Sequence, residues 1–379
     1  MKVLILSYLY PVLKKPYQHT FVREEARLVS EFSEVHVVDC MPFKPSLILG
    51  KSVATDYLRD DFPVEPVVYF SVPRKRFSSL TSIMLCKKVG RILDALKPDV
   101  LHAHFLYPCG LVVQEAIKRN IPIVITIHGV DWYESIKIPS LKNRIDRIME
   151  YSEKVICVGP RLEGDVKKIY PEASEKIQTL LHGIDFNFFK PPAKRTSQRE
   201  KINVLCVARF VHKKGLHLLV DAVSKSNKLR SDCSFTIVGD KTDKEYFNRI
   251  IKQIDVELID NIFIKEPVGK EELLTLYHQS DFYVQPSLDE PFGLSLLEAI
   301  ACGLPAVALS SGGPDVIINE KNGILVMSPD NLRNALEKMS VKWESYQQKQ
   351  LHESVKSRFE STIKQEKLMN IYDKIKNSR

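Results

Sequence analysis

Pro191-Pro192-Ala193-Lys194-Arg195-Thr196-Ser197-Gln198-Arg199-Glu200 opens with a proline pair, turns polar and shows no apolar period. It reads as a linker. Directly after it stands Ile202-Asn203-Val204-Leu205-Cys206-Val207-Ala208, a short apolar run of the kind that forms a buried strand. The chain itself begins with such a run, Val3-Leu4-Ile5-Leu6-Ser7. A series that starts at residue 3 therefore starts again after residue 200.

Ahead of the linker the β-rich runs are Val35–Asp39, Val67–Phe70, Val100–His102, Ile123–Thr126 and Lys154–Val158. Longer helical stretches separate them, such as Phe21–Phe32 with Val22, Ala26 and Val29 at helical spacing. Beyond the linker come Phe235–Gly239, Asn261–Ile264, Phe282–Val284 and Ala306–Leu309. Strands alternating with helices predict an α/β fold of two doubly wound parallel sheets. The expected domains are 1–190 and 191–360. A helical tail, 361–379, is expected to pack back on the N-terminal domain, with Ile363, Leu368, Ile371 and Ile375 as anchors. Doubly wound sheets bind ligands at the carboxyl ends of their strands, so two such domains facing each other predict a cleft.

Composition removes several classes. Of 379 residues, 44% are hydrophobic and 27% charged, which excludes wholesale disorder. The net charge of +8 is spread along the chain, too thin for a dedicated nucleic-acid binder. No apolar run reaches the roughly 18–20 residues of a membrane span, and Met1–Leu6 is too short for a signal peptide. Seven cysteines without a CxxC pair imply neither a disulfide framework nor a zinc knuckle, so a reduced, cytoplasmic chain is expected. No GxGxxG follows the first strand of either half. Gly50-Lys51-Ser52 resembles the end of a phosphate loop, but Pro45 stands where the first glycine is needed.

The densest chemical signal is Ser287-Leu288-Asp289-Glu290-Pro291-Phe292-Gly293-Leu294-Ser295-Leu296-Leu297-Glu298-Ala299, after the strand Phe282–Gln285. Pro291 suits a first helical turn, and Gly293 permits close backbone approach. Free amides at a helix start, helped by the helix dipole, attract anions. Glu290 is expected just before the helix and Glu298 about two turns on. Taken alone, two surface carboxylates at a strand–helix turn would look the same.

With Ala299-Ile300-Ala301-Cys302-Gly303-Leu304-Pro305 the segment resembles the signature of the family 4 retaining glycosyltransferases, whose two glutamates are separated by seven residues. Val207-Ala208-Arg209-Phe210-Val211-His212-Lys213-Lys214-Gly215 is similar to that family's donor-phosphate motif, with Arg209 and Lys214 at its basic positions. Ile127-His128-Gly129-Val130-Asp131 resembles its His-Gly-x-Asp segment. The resemblance covers most of the chain and implies the GT-B fold, two Rossmann-like domains facing across a cleft. It implies transfer of a hexose-type sugar from a nucleotide diphosphate sugar to a hydroxyl acceptor, in cell-envelope polysaccharide or glycolipid synthesis. By the same likeness Glu298 binds the ribose, Arg209 and Lys214 stabilise the departing diphosphate, and Glu290 orients the sugar with the amides of Phe292, Gly293 and Leu294. His128 and Asp131 complete the site, and backbone near Val268 reads the base. Two fixed cations can neutralise a diphosphate without a metal, so neither metal nor cofactor is expected.

Departures from the family pattern are local. The first loop, Tyr10–Val22, lacks the family's glycine pair, Lys265 replaces a common glycine, and His182 replaces a common asparagine. His102-Ala103-His104 could suggest a metal, but no nearby cysteine or carboxylate cluster completes one, and a structural or cleft-lining pair is expected. Arg74-Lys75-Arg76-Phe77, continued by Lys87, Lys88 and Arg91, reads either as a solvated helix face or as a patch that touches anionic membrane near a saccharide or lipid-linked acceptor. A sugar-nucleotide epimerase, a phosphorylase or a catalytically dead binding protein would share much of the pattern.

Overall fold

The computed structural model describes residues 1–13, 20–43, 57–70, 78–193 and 200–378. Gly50-Lys51-Ser52, Arg74–Phe77 and residues 14–19 of the first loop lie outside the described residues. The chain divides into two units, Met1–Leu181 with Thr362–Arg379, and His182–Ser361.

The first unit holds strands β1 (Lys2–Ser7), β2 (Glu34–Phe43), β3 (Val64–Phe70), β4 (Val100–His104), β5 (Ile123–Ile127), β6 (Lys154–Cys157) and β7 (Ile177–Thr179). They form one parallel sheet in the order β3-β2-β1-β4-β5-β6-β7. β4 and β5 are buried along their whole length, as near-continuous apolar strands covered on both faces must be. Side chains alternate across β1: Leu4 and Leu6 enter one core, Val3 and Ile5 the other. Leu368, Ile371, Tyr372 and Ile375 of the terminal helix Ser361–Asn377 pack into the second of these cores. Pro66 sits in β3, an edge strand, where its missing N–H is tolerated.

The second unit repeats the pattern with β8 (Ile202–Val207), β9 (Cys233–Val238), β10 (Ile262–Lys265), β11 (Phe282–Gln285), β12 (Ala306–Leu309) and β13 (Gly323–Val326). Its parallel order is β10-β9-β8-β11-β12-β13. The segment ahead of the polar linker belongs to this unit: the Ile184 amide donates to the Phe359 carbonyl at 3.0 Å, and Phe186 packs on His352. In both sheets the winding reverses beside the first strand, between β1 and β4 and between β8 and β11. Such reversals leave a crevice at the carboxyl ends of the two strands. β7 and β13 extend the expected series; β7 has a single apolar residue, Ile177, and β13 is only four residues long, with one of its side chains buried.

Candidate functional site

At the reversal in the second unit, two loops meet. One follows β8 and carries Arg209 to Gly215; the other follows β11 and carries Pro286 to Gly293. Gly215 has φ +65°, and a Cβ there would stand 1.8 Å from the Pro286 carbonyl oxygen. Only glycine allows this approach. The Leu288 amide donates to the Lys213 carbonyl at 2.8 Å, which fixes the loops side by side. Lys214 Nζ then lies 2.5 Å from Glu290 Oε2, with both side chains largely covered. Gln285 Nε2 donates to the same carboxylate oxygen at 3.0 Å. Lys213 lies 3.6 Å from Asp289, and burial lowers its ammonium below the usual lysine range. Arg209 is exposed, and none of the described residues holds its guanidinium. The result is three basic side chains, Arg209, Lys213 and Lys214, and a braced carboxylate at a switch point.

The helix Leu294–Ala301 starts immediately beyond, with Gly293 at φ 97° as its N-cap. A Cβ on Gly293 would meet Gln285 Nε2 at 3.1 Å. Pro291 therefore precedes the helix; the first turn begins at Leu294, and the expectation that Pro291 opened it is corrected. The amides of that first turn have no partner within the helix, as at any helix start. The Phe292 ring is buried against His182 and Phe359, which leaves its backbone as the only part able to face a ligand. Glu298 lies in the second turn and accepts from the Tyr277 hydroxyl at 2.9 Å. Burial and the neighbouring Glu298 carboxylate hold that phenol well above its ordinary range, so it stays a donor. Val268 is half-buried in the loop after β10, a strand two places across from β8 in the sheet.

In the first unit, His128 follows β5 and is partly exposed. Its ring lies against Phe105 (centroids 4.4 Å apart) and Phe21 (4.8 Å). Phe105 itself holds a left-handed φ of 75°, rare for an aromatic residue. Asp131 is buried. Its Oδ1 accepts from the His128 amide and its Oδ2 from the Leu106 amide, each at 2.9 Å. Burial raises its pKa to about 6 against the pull of these amides. Asp131 thus ties the β5 loop to the β4 loop from behind.

The histidine pair has the neighbour that local sequence did not offer. Glu25, from the helix Thr20–Ser30, brings its carboxylate to His102 and His104, with the three ligand atoms within 4.8 Å of one another. The expectation that no carboxylate joins the pair is corrected. Metal chemistry does not suit this set. Both ring nitrogens of His102 are engaged, with the Tyr372 hydroxyl at 2.6 Å and the Thr126 hydroxyl at 2.8 Å. The Lys364 ammonium, 2.5 Å from Glu25 Oε2, already supplies the cation. The terminal helix, for which only apolar anchors were expected, thus contributes two polar groups, Lys364 and Tyr372, to this buried cluster. Gln285, Tyr277, Glu25 and Lys364 escaped the sequence reading. Glu25 left a signal: it stands three residues after Val22 and four before Val29, an acid on an apolar stripe.

The arrangement is that of an enzyme built on two doubly wound sheets, and comparison with known proteins specifies which kind. Residues 20–188 match the model Glycosyltransferase Family 4, and residues 188–357 match Glycosyl transferases group 1. The chain belongs to family 4 of the glycosyltransferases, with the GT-B fold class, and is a retaining glycosyltransferase that takes sugars from nucleotide sugars. It is similar to N-acetyl-alpha-D-glucosaminyl L-malate synthase of Bacillus anthracis, 27% identical over 77% of this chain and 78% of that one. It is also similar to D-inositol 3-phosphate glycosyltransferase of Paenarthrobacter aurescens, 28% identical over 63% of each. Among solved structures, sucrose-phosphate synthase from Thermosynechococcus elongatus matches over 100% of both chains with a TM-score of 0.80 at 18% identity. HepE of Anabaena, solved with UDP-glucose, matches over 99% of this chain and 100% of its own, with a TM-score of 0.75 at 17% identity.

Proposed function

We propose that the chain moves a hexose-type sugar from a nucleotide diphosphate sugar to a hydroxyl acceptor in cell-envelope polysaccharide or glycolipid synthesis, on the cytoplasmic side. The observation that carries this reading is the Arg209, Lys214 and Glu290 group at the switch point of the second unit. In transfer, the bond from the anomeric carbon to the phosphate oxygen breaks and its electron pair leaves on the diphosphate, while the acceptor oxygen bonds the anomeric carbon and its proton passes to the released diphosphate. Among the described residues nothing holds the Arg209 guanidinium, and the Lys214 ammonium has two N–H donors beyond the one given to Glu290. Both neutralise charge where it develops. Glu290 and the amides of Phe292, Gly293 and Leu294 orient the sugar, Glu298 holds the ribose hydroxyls, and the backbone around Val268 meets the base. His128 serves the donor sugar, and Asp131, its carboxylate spent on backbone amides, acts by holding His128.

A thermal-shift screen against nucleotide sugars tests the reading, with UDP-glucose first because HepE of Anabaena was solved with it. A ligand bound only by the folded state raises the melting temperature, about 2.7 kcal/mol at a hundredfold excess over Kd. The shift and the activity are expected to persist in excess EDTA; a strict magnesium or manganese requirement contradicts the metal-free site. Glu298→Ala is expected to raise the donor KM about tenfold or more with a smaller change in kcat, the mark of lost ground-state binding. Wild-type kinetics in that variant would remove the ribose role.

For the acceptor, we infer contact with the anionic leaflet. Among the described residues no helix is long and apolar enough to cross a membrane. In the helix Ser78–Leu96, however, Lys87, Lys88 and Arg91 are exposed, and Ile83 is 66% exposed. Basic residues near such a surface contribute about 1 kcal/mol each. Co-sedimentation with anionic vesicles is expected to fall as salt rises and to fall again in the triple Glu variant of these three residues. Equal binding to neutral and anionic vesicles contradicts it.

A further inference from the structure

His128 is the outer end of a buried chain of side chains. Its Nε2 lies 3.1 Å from His104 Nδ1, and the two rings stack with centroids 5.3 Å apart. His104 Nε2 lies 3.3 Å from Glu25 Oε1. Both of these atoms are buried, and among the described residues neither has a well-formed hydrogen-bond partner, so the 3.3 Å approach is the nearest complement either has. Buried polar atoms seek a partner. Glu25 Oε2 is held by Lys364 at 2.5 Å. Glu25, His104 and Lys364 are all nearly or fully inaccessible, at 2%, 0% and 5% exposure.

We propose that Glu25 and Lys364 are positioning residues for His128, acting through His104 to fix the tautomer and orientation of its ring. A carboxylate at Oε1 calls the His104 proton to Nε2, which donates to it. His104 Nδ1 is then an acceptor, and His128 Nε2–H donates to Nδ1. The proton of neutral His128 therefore sits on Nε2, and its Nδ1 keeps a lone pair. Lys364 balances Glu25, so the histidines need not be charged. Every element around the cluster takes part: Glu25 from the first helix, His102 and His104 from β4, His128 after β5, and Lys364 and Tyr372 from the terminal helix. The electrostatics agree. Burial pushes the Glu25 carboxyl up, but the Lys364 ammonium leads the opposing pulls and the group is held well below the usual range. Burial pushes His102 down to about 3, so it stays neutral beside them. A tautomer set by the partner of the far nitrogen is the ordinary way a protein orients an imidazole.

The inference rests on the reading that His128 serves the donor sugar, and a double-mutant cycle keeps the two separate. Glu25→Gln is expected to lower kcat about tenfold or more while the donor KM moves less than about threefold. In a His128→Ala background the same change should alter kcat less than about twofold, because a residue acting through His128 has nothing left to act on. Equal losses in both backgrounds would overturn the relay alone. A His128→Ala protein with wild-type kcat would overturn the reading of His128 and the relay with it. A measurement on the unmutated protein needs no variant to fold: the ¹⁵N shifts of the His128 ring should report the Nε2–H tautomer. An Nδ1–H tautomer would overturn the proposal.

Discussion

Lys214→Ala is expected to lower kcat by about 10²–10³-fold, the loss typical of removing one preorganised group at developing charge, about 2.7–4 kcal/mol. The size follows from placement. The ammonium is fixed by Glu290 at 2.5 Å, and Glu290 is fixed in turn by Gln285 at 3.0 Å. A cation already held in place does not reorganise when the diphosphate departs. The expected loss lies in kcat, measured at saturating donor, with a further rise in KM because the ground-state diphosphate is also anionic. The folded state should tolerate the change, since Lys214 lies outside the apolar core of the second unit and Gln285 still donates to Glu290. A variant with wild-type kcat would remove Lys214 from the reaction, and with it the observation that carries the functional reading.

The second large effect is on stability. Lys364→Met leaves the Glu25 carboxylate buried without its ammonium, and breaking a buried pair on one side costs about 3–5 kcal/mol. In a unit of this size that is on the order of 10 °C in Tm. The pH dependence gives the test its sign. The folded Glu25 titrates well below its ordinary 4.5, so its contribution is fully present above that value and fades as pH falls through the folded value. In the variant, burial acts on Glu25 without Lys364 to oppose it, and protonation relieves the strain. The stability gap between the two proteins should therefore be widest near neutral pH and narrow as pH falls below about 4.5. Denaturant unfolding at both pH values measures it. A gap of constant width would mean that the ion pair is not its source.

How much of this was legible in the sequence depended on whether the signal was local. Strands such as Val204-Leu205-Cys206 and Phe282-Tyr283-Val284 announce themselves because a strand buried on both faces is a near-continuous apolar run. The motifs around Arg209 and Glu290 were legible because each loop follows a strand and carries its own charges. The helix start was misjudged by three residues because Pro291 is a fair first-turn residue, and only the left-handed Gly293 shows where the turn begins. The Glu25–His104–Lys364 cluster was hidden for a different reason. It joins residues about 80 and 340 positions apart, and long-range pairing has no period to read. Its trace was the misfit of single residues: Glu25 between Val22 and Val29, and Lys364 four residues before the buried Leu368.

The central claim is that this site releases a nucleoside diphosphate and passes on the sugar with its anomeric configuration kept. The direct measurement is time-resolved proton NMR of the first-formed sugar product from an α-linked nucleotide diphosphate hexose, with water or a hydroxyl acceptor. The account predicts nucleoside diphosphate and an α product, both lost in Arg209→Ala and Lys214→Ala. A β product, or a donor that is epimerised without releasing nucleoside diphosphate, would contradict it.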